Sequence, residues 1–321
     1  MAILLTGAAG FIGFHTTLAL LKRGETVIGV DNLNNYYDVN LKKARLAQLL
    51  AHKNFSFHKM DIADKTAIAS LPKTFDRIIH LAAQAGVRYS LKNPQAYIDS
   101  NITGHLTMLE LARNTDGLKH FVYASSSSVY GGNTKTPFSI KDAVEKPVSL
   151  YAATKRAGEL MAYNYAHLFR FAATGLRFFT VYGPWGRPDM AAYLFTKNIL
   201  AGEPIAVFNH GKMQRDFTYI DDIVDGILAT LDHPLRTDDV PHRVFNLGNS
   251  HPEKLTDFIG IIENALGKKA IYDFQPIQPG DVPSTSADIS ESKEILGFQP
   301  KVTIDEGIPR FVAWYKNYNQ L

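Results

Sequence analysis

Thr6-Gly7-Ala8-Ala9-Gly10-Phe11-Ile12-Gly13 decides the fold. Its three glycines, at G-x-x-G-x-x-G spacing, join the apolar run Ala2–Leu5 to the helical pattern Ile12–Lys22. A helix N-terminus carries free N–H groups and a partial positive charge. Glycine at the turn lets a pyrophosphate approach the backbone, and the third glycine lets the helix pack on the strand. An ordinary glycine turn shows the same residues, so the strand-to-helix context makes the distinction. Asp31 closes the second β-run, 18 residues after Gly13. An acid there accepts hydrogen bonds from both ribose hydroxyls and repels a 2′-phosphate, so NAD is expected rather than NADP. Asp61-Ile62, after the third run, is a weaker candidate for the adenine flank, because strand ends often carry Asp.

Outward from the loop, β-runs alternate with helical patterns. Thr26–Val30, Phe55–Met60, Arg77–Leu81, His120–Ala124 and Ala173–Phe178 read as strands. Asp38–Ala51, Gln95–Arg113 and Leu150–Phe169 read as helices. This alternation predicts an α/β fold, a Rossmann-type doubly wound parallel sheet. After Phe178 prolines and aromatics interrupt the pattern, and a smaller C-terminal α/β substrate lobe is expected. The expected division is 1–178 for the cofactor and 179–321 for the substrate. The segment 221–247 is a candidate to return to the first domain: Asp221–Asp232 reads as a helix capped by acids, and Val244–Leu247 as a strand able to rejoin the main sheet.

The 321 residues are 45% apolar and 20% charged, as in an ordinary soluble domain. The formal charge is +3 with no Lys/Arg run, so nucleic acid is not an expected partner. Cysteine is absent, which excludes disulfides and thiolate chemistry. Eleven histidines lack metal spacing, so no metal is expected. No apolar run approaches the ~18 residues of a membrane span, and no secretory leader is read, so a cytoplasmic location is expected.

Tyr151 and Lys155 are four apart at the start of a helical stretch, hence on one face. An ammonium beside a phenol favours the phenolate and makes a general base. By itself the spacing also describes an amphipathic helix with a solvated lysine. Ser125–Ser128 follows the His120–Ala124 strand, which places its hydroxyls at the sheet edge where open α/β folds bind ligands. Ser126 there could hydrogen-bond a reacting sugar oxygen and relay its proton.

Glycine loop, serine strand end and Tyr-Lys helix, in that order, resemble the extended short-chain dehydrogenase/reductase family over essentially the whole chain. Further strings narrow the resemblance: Tyr36-Tyr37-Asp38-Val39, Ala85-Gly86-Val87-Arg88, Leu176–Pro184, Gln214–Tyr219 and Gly280–Pro283. Together these look like nucleotide-sugar 4-epimerases, most closely those acting on UDP-glucuronate. The resemblance implies catalysis by Tyr151, Lys155 and Ser126, with NAD taking and returning a hydride through a 4-keto sugar. It implies a cofactor site of Gly7, Gly10, Phe11, Ile12, Gly13, Asp31, Asn32, Asp61 and Ile62. Leu81, Ala82, Ala83, Tyr151 and Lys155 complete that site. It also implies a homodimer built on the two long helices.

For the UDP-sugar, Arg215 is the candidate pyrophosphate clamp, and its neighbour Asp216 could instead pair with it. Arg88 or Arg187 could meet a uronate carboxylate, although an arginine in a loop is by default solvated. Ser128 and Thr180 could hold that carboxylate by neutral hydrogen bonds, and Ser127 is a further substrate-binding candidate. The relatives with neutral hexoses usually carry Asn at the position of Thr180. Phe208 is a candidate for uracil stacking and Asp281 for the ribose hydroxyls, while Gln278 stands where many relatives have Arg. His80 is expected in the core, and Trp185 and Tyr182 in the packing of the second lobe. Three other outcomes stay open: a UDP-glucuronate decarboxylase, a neutral UDP-hexose 4-epimerase, and a non-catalytic NAD-binding module.

Overall fold

The computed structural model describes residues 1–321. The first part runs β1 (Ala2–Thr6), α1 (Phe11–Lys22), β2 (Val27–Asp31), α2 (Val39–Leu50), β3 (Phe55–Lys59), α3 (Lys65–Ala69) and β4 (Phe75–His80). It continues α4 (Tyr89–Lys92), α5 (Pro94–Tyr97), α6 (His105–Arg113), β5 (His120–Ser126), α7 (Leu150–Phe169) and β6 (Ala173–Phe178). Beyond lie β7 (Thr180–Tyr182), α8 (Ala191–Ala201), β8 (Pro204–Phe208), β9 (Gln214–Tyr219), α9 (Ile220–Asp232) and β10 (His242–Leu247). The chain ends with β11 (Pro252–Lys254), α10 (Leu255–Leu266), β12 (Ile271–Gln275), α11 (Ser290–Leu296) and α12 (Ile304–Tyr318).

Seven strands form one parallel sheet in the order β10-β6-β5-β4-β1-β2-β3. β1 and β6 are buried along their whole length, as strands covered by helices on both faces must be. The order reverses between β1 and β4, so a crevice opens at the C-terminal ends of these strands. Thr6, Asp31, His80 and Ser126 are the last residues of their strands and stand along that edge. β10 pairs with β6 in register from His242–Ala173 to Leu247–Phe178, so this late segment lies in the main sheet. β7 begins two residues after β6 and belongs to a small sheet, β11-β9-β7; β12 pairs with β8 in another. The passage from β6 to β7 sets Thr180 beside the crevice.

Alternate residues of β1 serve different cores. Ile3 and Leu5 join a cluster that continues through Leu176, Phe217 and Phe258 to Tyr315. Leu4 joins a second, with Ile78, Met108 and Phe121. The first cluster passes from the main sheet into the C-terminal part without a break. Trp185 packs against Phe14 and Trp314, and Tyr182 against Phe217. No helix is long and apolar enough to cross a membrane.

Two expected helices differ in detail. Gln95–Arg113 is interrupted by a π-helical turn, Ile98–Gly104. The wide turn lets Asn101 bond Gln84 through both its backbone N–H (2.8 Å) and C=O (3.0 Å), and Thr154 Oγ1 (3.0 Å). The α9 helix begins at Ile220 with no side-chain cap. Asp222 accepts instead from the Lys301 and Val302 N–H groups (3.0 and 3.1 Å), tying the C-terminal segment to α9.

Candidate active site

A cavity of about 400 Å³ occupies the crevice. One end is the glycine loop. Gly7 has φ +77°, and a Cβ there would lie 2.8 Å from the Ala82 nitrogen. A Cβ on Gly13 would lie 1.9 Å from the Gly7 oxygen. No side chain caps α1 at Gly10, so its first-turn N–H groups remain for a ligand. Phe11, Ile12, Asn32, Ile62, Leu81, Ala82 and Ala83 line the cavity with Asp31. The Asp31 carboxylate accepts from Ala9 and Leu33 N–H (3.1 and 2.8 Å), which fixes it at the strand end. Burial pushes its carboxyl up, against the pull of the Leu33 N–H and Lys42. A bare-backbone cradle, a helix start and a fixed acid are the donor and acceptor set that a dinucleotide requires. Asp61 does not line the cavity; it accepts from Asn32 Nδ2 at 2.8 Å, and so orients a residue that does.

The centre of the cavity holds Tyr151, Lys155 and Ser126. Ser149 caps α7 by accepting from the Ala152 N–H (3.1 Å), which starts the helix just before Tyr151. Lys155 Nζ donates to the Ala124 carbonyl (3.0 Å), locking the helix to the end of β5. Burial lowers Lys155 to about 8, against the charge of Glu159. The expected lowering of the Tyr151 phenol is not found in the protein alone: burial raises it, opposed by the Ser126 hydroxyl and the Arg187 charge. Desolvation of a phenolate outweighs both. His80 is a core residue, with Nδ1 2.7 Å from Thr6 Oγ1.

At the other end lie Ser127, Ser128, Thr180, Arg187, Arg215 and Asp281. Ser126–Ser128 form a tight turn in which Ser128 N–H and Oγ both donate to Ser126 Oγ (3.2 and 3.0 Å). Arg187 is not a free solvated arginine. Its Nε and Nη2 grip Asp189 (3.0 and 2.5 Å), and the Tyr36 hydroxyl donates to the same carboxylate (2.9 Å). Arg215 Nη2 donates to Asp281 Oδ1 (2.9 Å). Asp216 is not its partner, because neighbours on a strand face opposite sides. Asp216 is buried and accepts from the N–H groups of Asn249, Ser250 and Ala287 (2.6, 3.0 and 2.8 Å). Arg88 and Phe208 stand outside the cavity lining. The Arg88 guanidinium sits 4.4 Å from the Phe208 ring centre and 3.8 Å from Asp281, so one face of that ring is already covered.

The sequence reading overlooked Lys42. It lines the cavity, yet is buried on α2, donating to Asn34 O and Oδ1 (2.8 and 2.6 Å) with the Tyr37 ring 4.5 Å away. A signal existed: Lys42 and Arg45 occupy the buried stripe of α2 with Leu46 and Leu49, where apolar residues are usual. Lys42, Lys155, Arg187 and Arg215 face only two lining carboxylates, Asp31 and Asp281. Even with Arg187 held by Asp189, one positive charge remains in excess, which suits pyrophosphate-bearing ligands.

A family model described as "NAD dependent epimerase/dehydratase family" matches residues 3–248. An uncharacterized 37.6 kDa protein of Escherichia coli O111:H- is 52% identical, covering 99% of each chain. UDP-glucuronate 4-epimerase 4 of Arabidopsis thaliana is 48% identical, over 99% of this chain and 76% of that one. The crystal structure of UDP-glucuronic acid 4-epimerase from Bacillus cereus, in complex with UDP-glucuronic acid and NAD, superposes with a TM-score of 0.92. It is 36% identical and covers 99% of this chain and 100% of that one. Cradle, cationic cavity and relatives agree: the chain belongs to the NAD dependent epimerase/dehydratase family and is an NAD-dependent nucleotide-sugar epimerase.

Proposed function

We propose that the protein interconverts UDP-glucuronate and UDP-galacturonate by inverting carbon 4. One observation carries the choice of sugar. The cavity end beyond Tyr151 offers the hydroxyls of Ser127, Ser128 and Thr180, its lining has no carboxylate apart from the Arg215-paired Asp281, and the Arg187 charge is shared with Asp189. Such a surface receives a uronate without charge repulsion. The relatives named for UDP-glucuronate support the same reading.

The glycine loop, Asp31 and Lys42 hold the cofactor's pyrophosphate and adenosine side, and Leu81–Ala83 with Lys155 bound its reactive side. NAD, when bound, supplies a hydride acceptor and donor for carbon 4 and a positive charge beside the phenol. Tyr151 takes the proton of the 4-hydroxyl, with Ser126 hydrogen-bonded to the same oxygen. The Lys155 ammonium favours the phenolate once that charge is in place. Arg215 holds the pyrophosphate and Asp281 the uridine ribose. The 4-keto sugar turns in the cavity so that the other face of carbon 4 meets the cofactor site, and Tyr151 returns the proton to the carbon 4 oxygen.

A 4-keto uronate is a β-keto acid. Ser127, Ser128 and Thr180 keep its carboxylate bond out of line with the carbonyl π system, so carbon dioxide is not lost. Two copies of the chain pair through α6 and α7 in this reading. Proton NMR of the protein with UDP-glucuronate and NAD tests it. UDP-galacturonate should appear without net NADH. UDP-xylose would replace the epimerase reading with a decarboxylase, and turnover of neutral UDP-hexoses alone would overturn the choice of sugar.

A further inference from the structure

Tyr151 and Lys155 are four residues apart on α7, and Glu159 is four further on. The Glu159 side chain is 1% exposed and that of Arg177, on β6, is 3% exposed. Arg177 Nε and Nη2 donate to the two oxygens of Glu159 (2.8 and 2.9 Å). The same carboxylate accepts from Ser125 Oγ (2.6 Å) and Arg156 Nη1 (3.0 Å). Arg177 Nη1 then donates to the Tyr130 hydroxyl (3.0 Å), which donates to Asn246 Oδ1 (2.7 Å). Asn246 Nδ2 closes the chain on the Phe138 and Asp288 carbonyls (2.8 and 3.0 Å). The mechanism above uses none of these groups.

Their placement has a consequence. Ser125 and Tyr130 bracket the turn Ser126–Val129, and both are bonded to one Glu159–Arg177 pair. That pair is anchored on the helix that carries Tyr151. A buried ion pair contributes little net stability compared with apolar residues of the same shape. With every donor and acceptor satisfied, it does fix geometry.

We propose that the Glu159–Arg177 pair is a positioning clamp that sets the serine turn against Tyr151 and thereby determines whether the 4-keto uronate is reduced or decarboxylated. This rests on the uronate reading of the site. In the unwanted branch the C5–C6 bond breaks, its electron pair moves into the C4–C5 bond as an enolate, and carbon dioxide departs. Carbon 5 then takes a proton from solvent. Carbon 4 has already been oxidised, so each 4-ketopentose that escapes leaves one NADH on the protein. A loosened turn lets the carboxylate bond swing into line with the carbonyl, and this branch grows.

Ser125→Ala and Tyr130→Phe each cut one tether between clamp and turn and keep the ion pair. For each, the ratio of one-carbon-shorter product to UDP-galacturonate should rise roughly tenfold, the change that ~1.4 kcal/mol allows. The double variant should exceed either. Ser125→Thr keeps the hydroxyl and should restore a ratio near that of the unaltered protein. Ile259→Val, in the buried face of α10, is the control for simple loss of stability and should leave the ratio alone. An unchanged ratio in the double variant, or an equal rise in Ile259→Val, overturns the clamp. If the unaltered protein ignores UDP-glucuronate, the sugar assignment fails separately. The clamp then predicts, with the UDP-hexose that is converted, a similar rise in escaped 4-ketohexose and retained NADH, and no such rise overturns it.

Discussion

Tyr151 sits where burial makes its proton hard to remove, and the groups around it exist to offset that cost. Tyr151→Phe should lower kcat by about 10³-fold or more while dinucleotide binding, read by fluorescence titration, stays near normal. Lys155 gives the pH dependence its sign. Burial brings it to about 8, and its charged form is the one that favours the phenolate. As pH rises through about 8 the ammonium is lost, so kcat/KM should fall by about tenfold per unit above that point. In the proposed mechanism the bound cofactor's charge has already ionised Tyr151 by that pH, so its own titration does not offset the loss. A profile that stays flat to about pH 9.5 would refute the role of that charge. In the proposed reading Arg187 faces the uronate carboxylate, so Arg187→Ala should lower kcat/KM for UDP-glucuronate by 10-fold or more and change turnover of a neutral UDP-hexose little. At this scale the sequence was informative where spacing has one geometric meaning. Tyr151, Lys155 and Asp31 line the cavity as their spacing implies. Arg187 was a candidate, but its grip on Asp189 joins residues two apart in a loop, and no periodic pattern marks such a pair.

Local rules carry the elements further than single residues. The glycine loop follows from strand, turn and helix in succession, and its tightness can be tested directly. Gly13→Ala puts a methyl 1.9 Å from the Gly7 oxygen. It should destabilise the protein by about 3 kcal/mol and abolish NAD binding, as measured by thermal unfolding with and without NAD. Gly260→Ala is the contrast. Nothing lies within 4 Å of that Cβ, and the site is within α10. It should stabilise by ~0.5–1 kcal/mol in the same assay. The i, i+4 rule that pairs Tyr151 with Lys155 also reaches Glu159, yet a third member has meaning only when Arg177 is brought to it from β6. The π-helical turn at Ile98–Gly104 is invisible to periodicity for a related reason: it is stabilised by Asn101 reaching Gln84 and Thr154, both distant in sequence. Alternation along β9 was sufficient, in hindsight, to separate Arg215 from Asp216, since one faces the cavity and the other is buried behind it.

At the scale of the whole molecule, the parallel sheet could be read because inner strands such as β1 and β2 bury both faces and announce themselves as apolar runs, which the half-exposed β3 and β10 do less clearly. The second half could not be read so well. Apart from β10, its strands belong to two small sheets and are defined by partners far away in the chain, as β9 is by β7 and β11. The exposed surface leads to the last prediction. α6 and α7 pack side by side and leave Leu106, Leu160, Tyr163 and Phe169 between 40% and 54% open to solvent, beside Ile98 and Leu168. Exposed apolar side chains of this kind on two adjacent helices are costly in water, and a two-fold axis would cover them by setting the same four helices against one another. A stable interface of that type buries ~800 Å² per chain, and each leucine withdrawn from water contributes ~1.5–3 kcal/mol. Light scattering at micromolar concentration should therefore give twice the 35.7 kDa of one chain. Leu106→Glu combined with Leu160→Glu places four charges at a symmetric contact and should halve that mass while the circular dichroism spectrum stays the same. A single-chain mass for the unaltered protein would refute the interface, and an unchanged mass in the double variant would move it to another face.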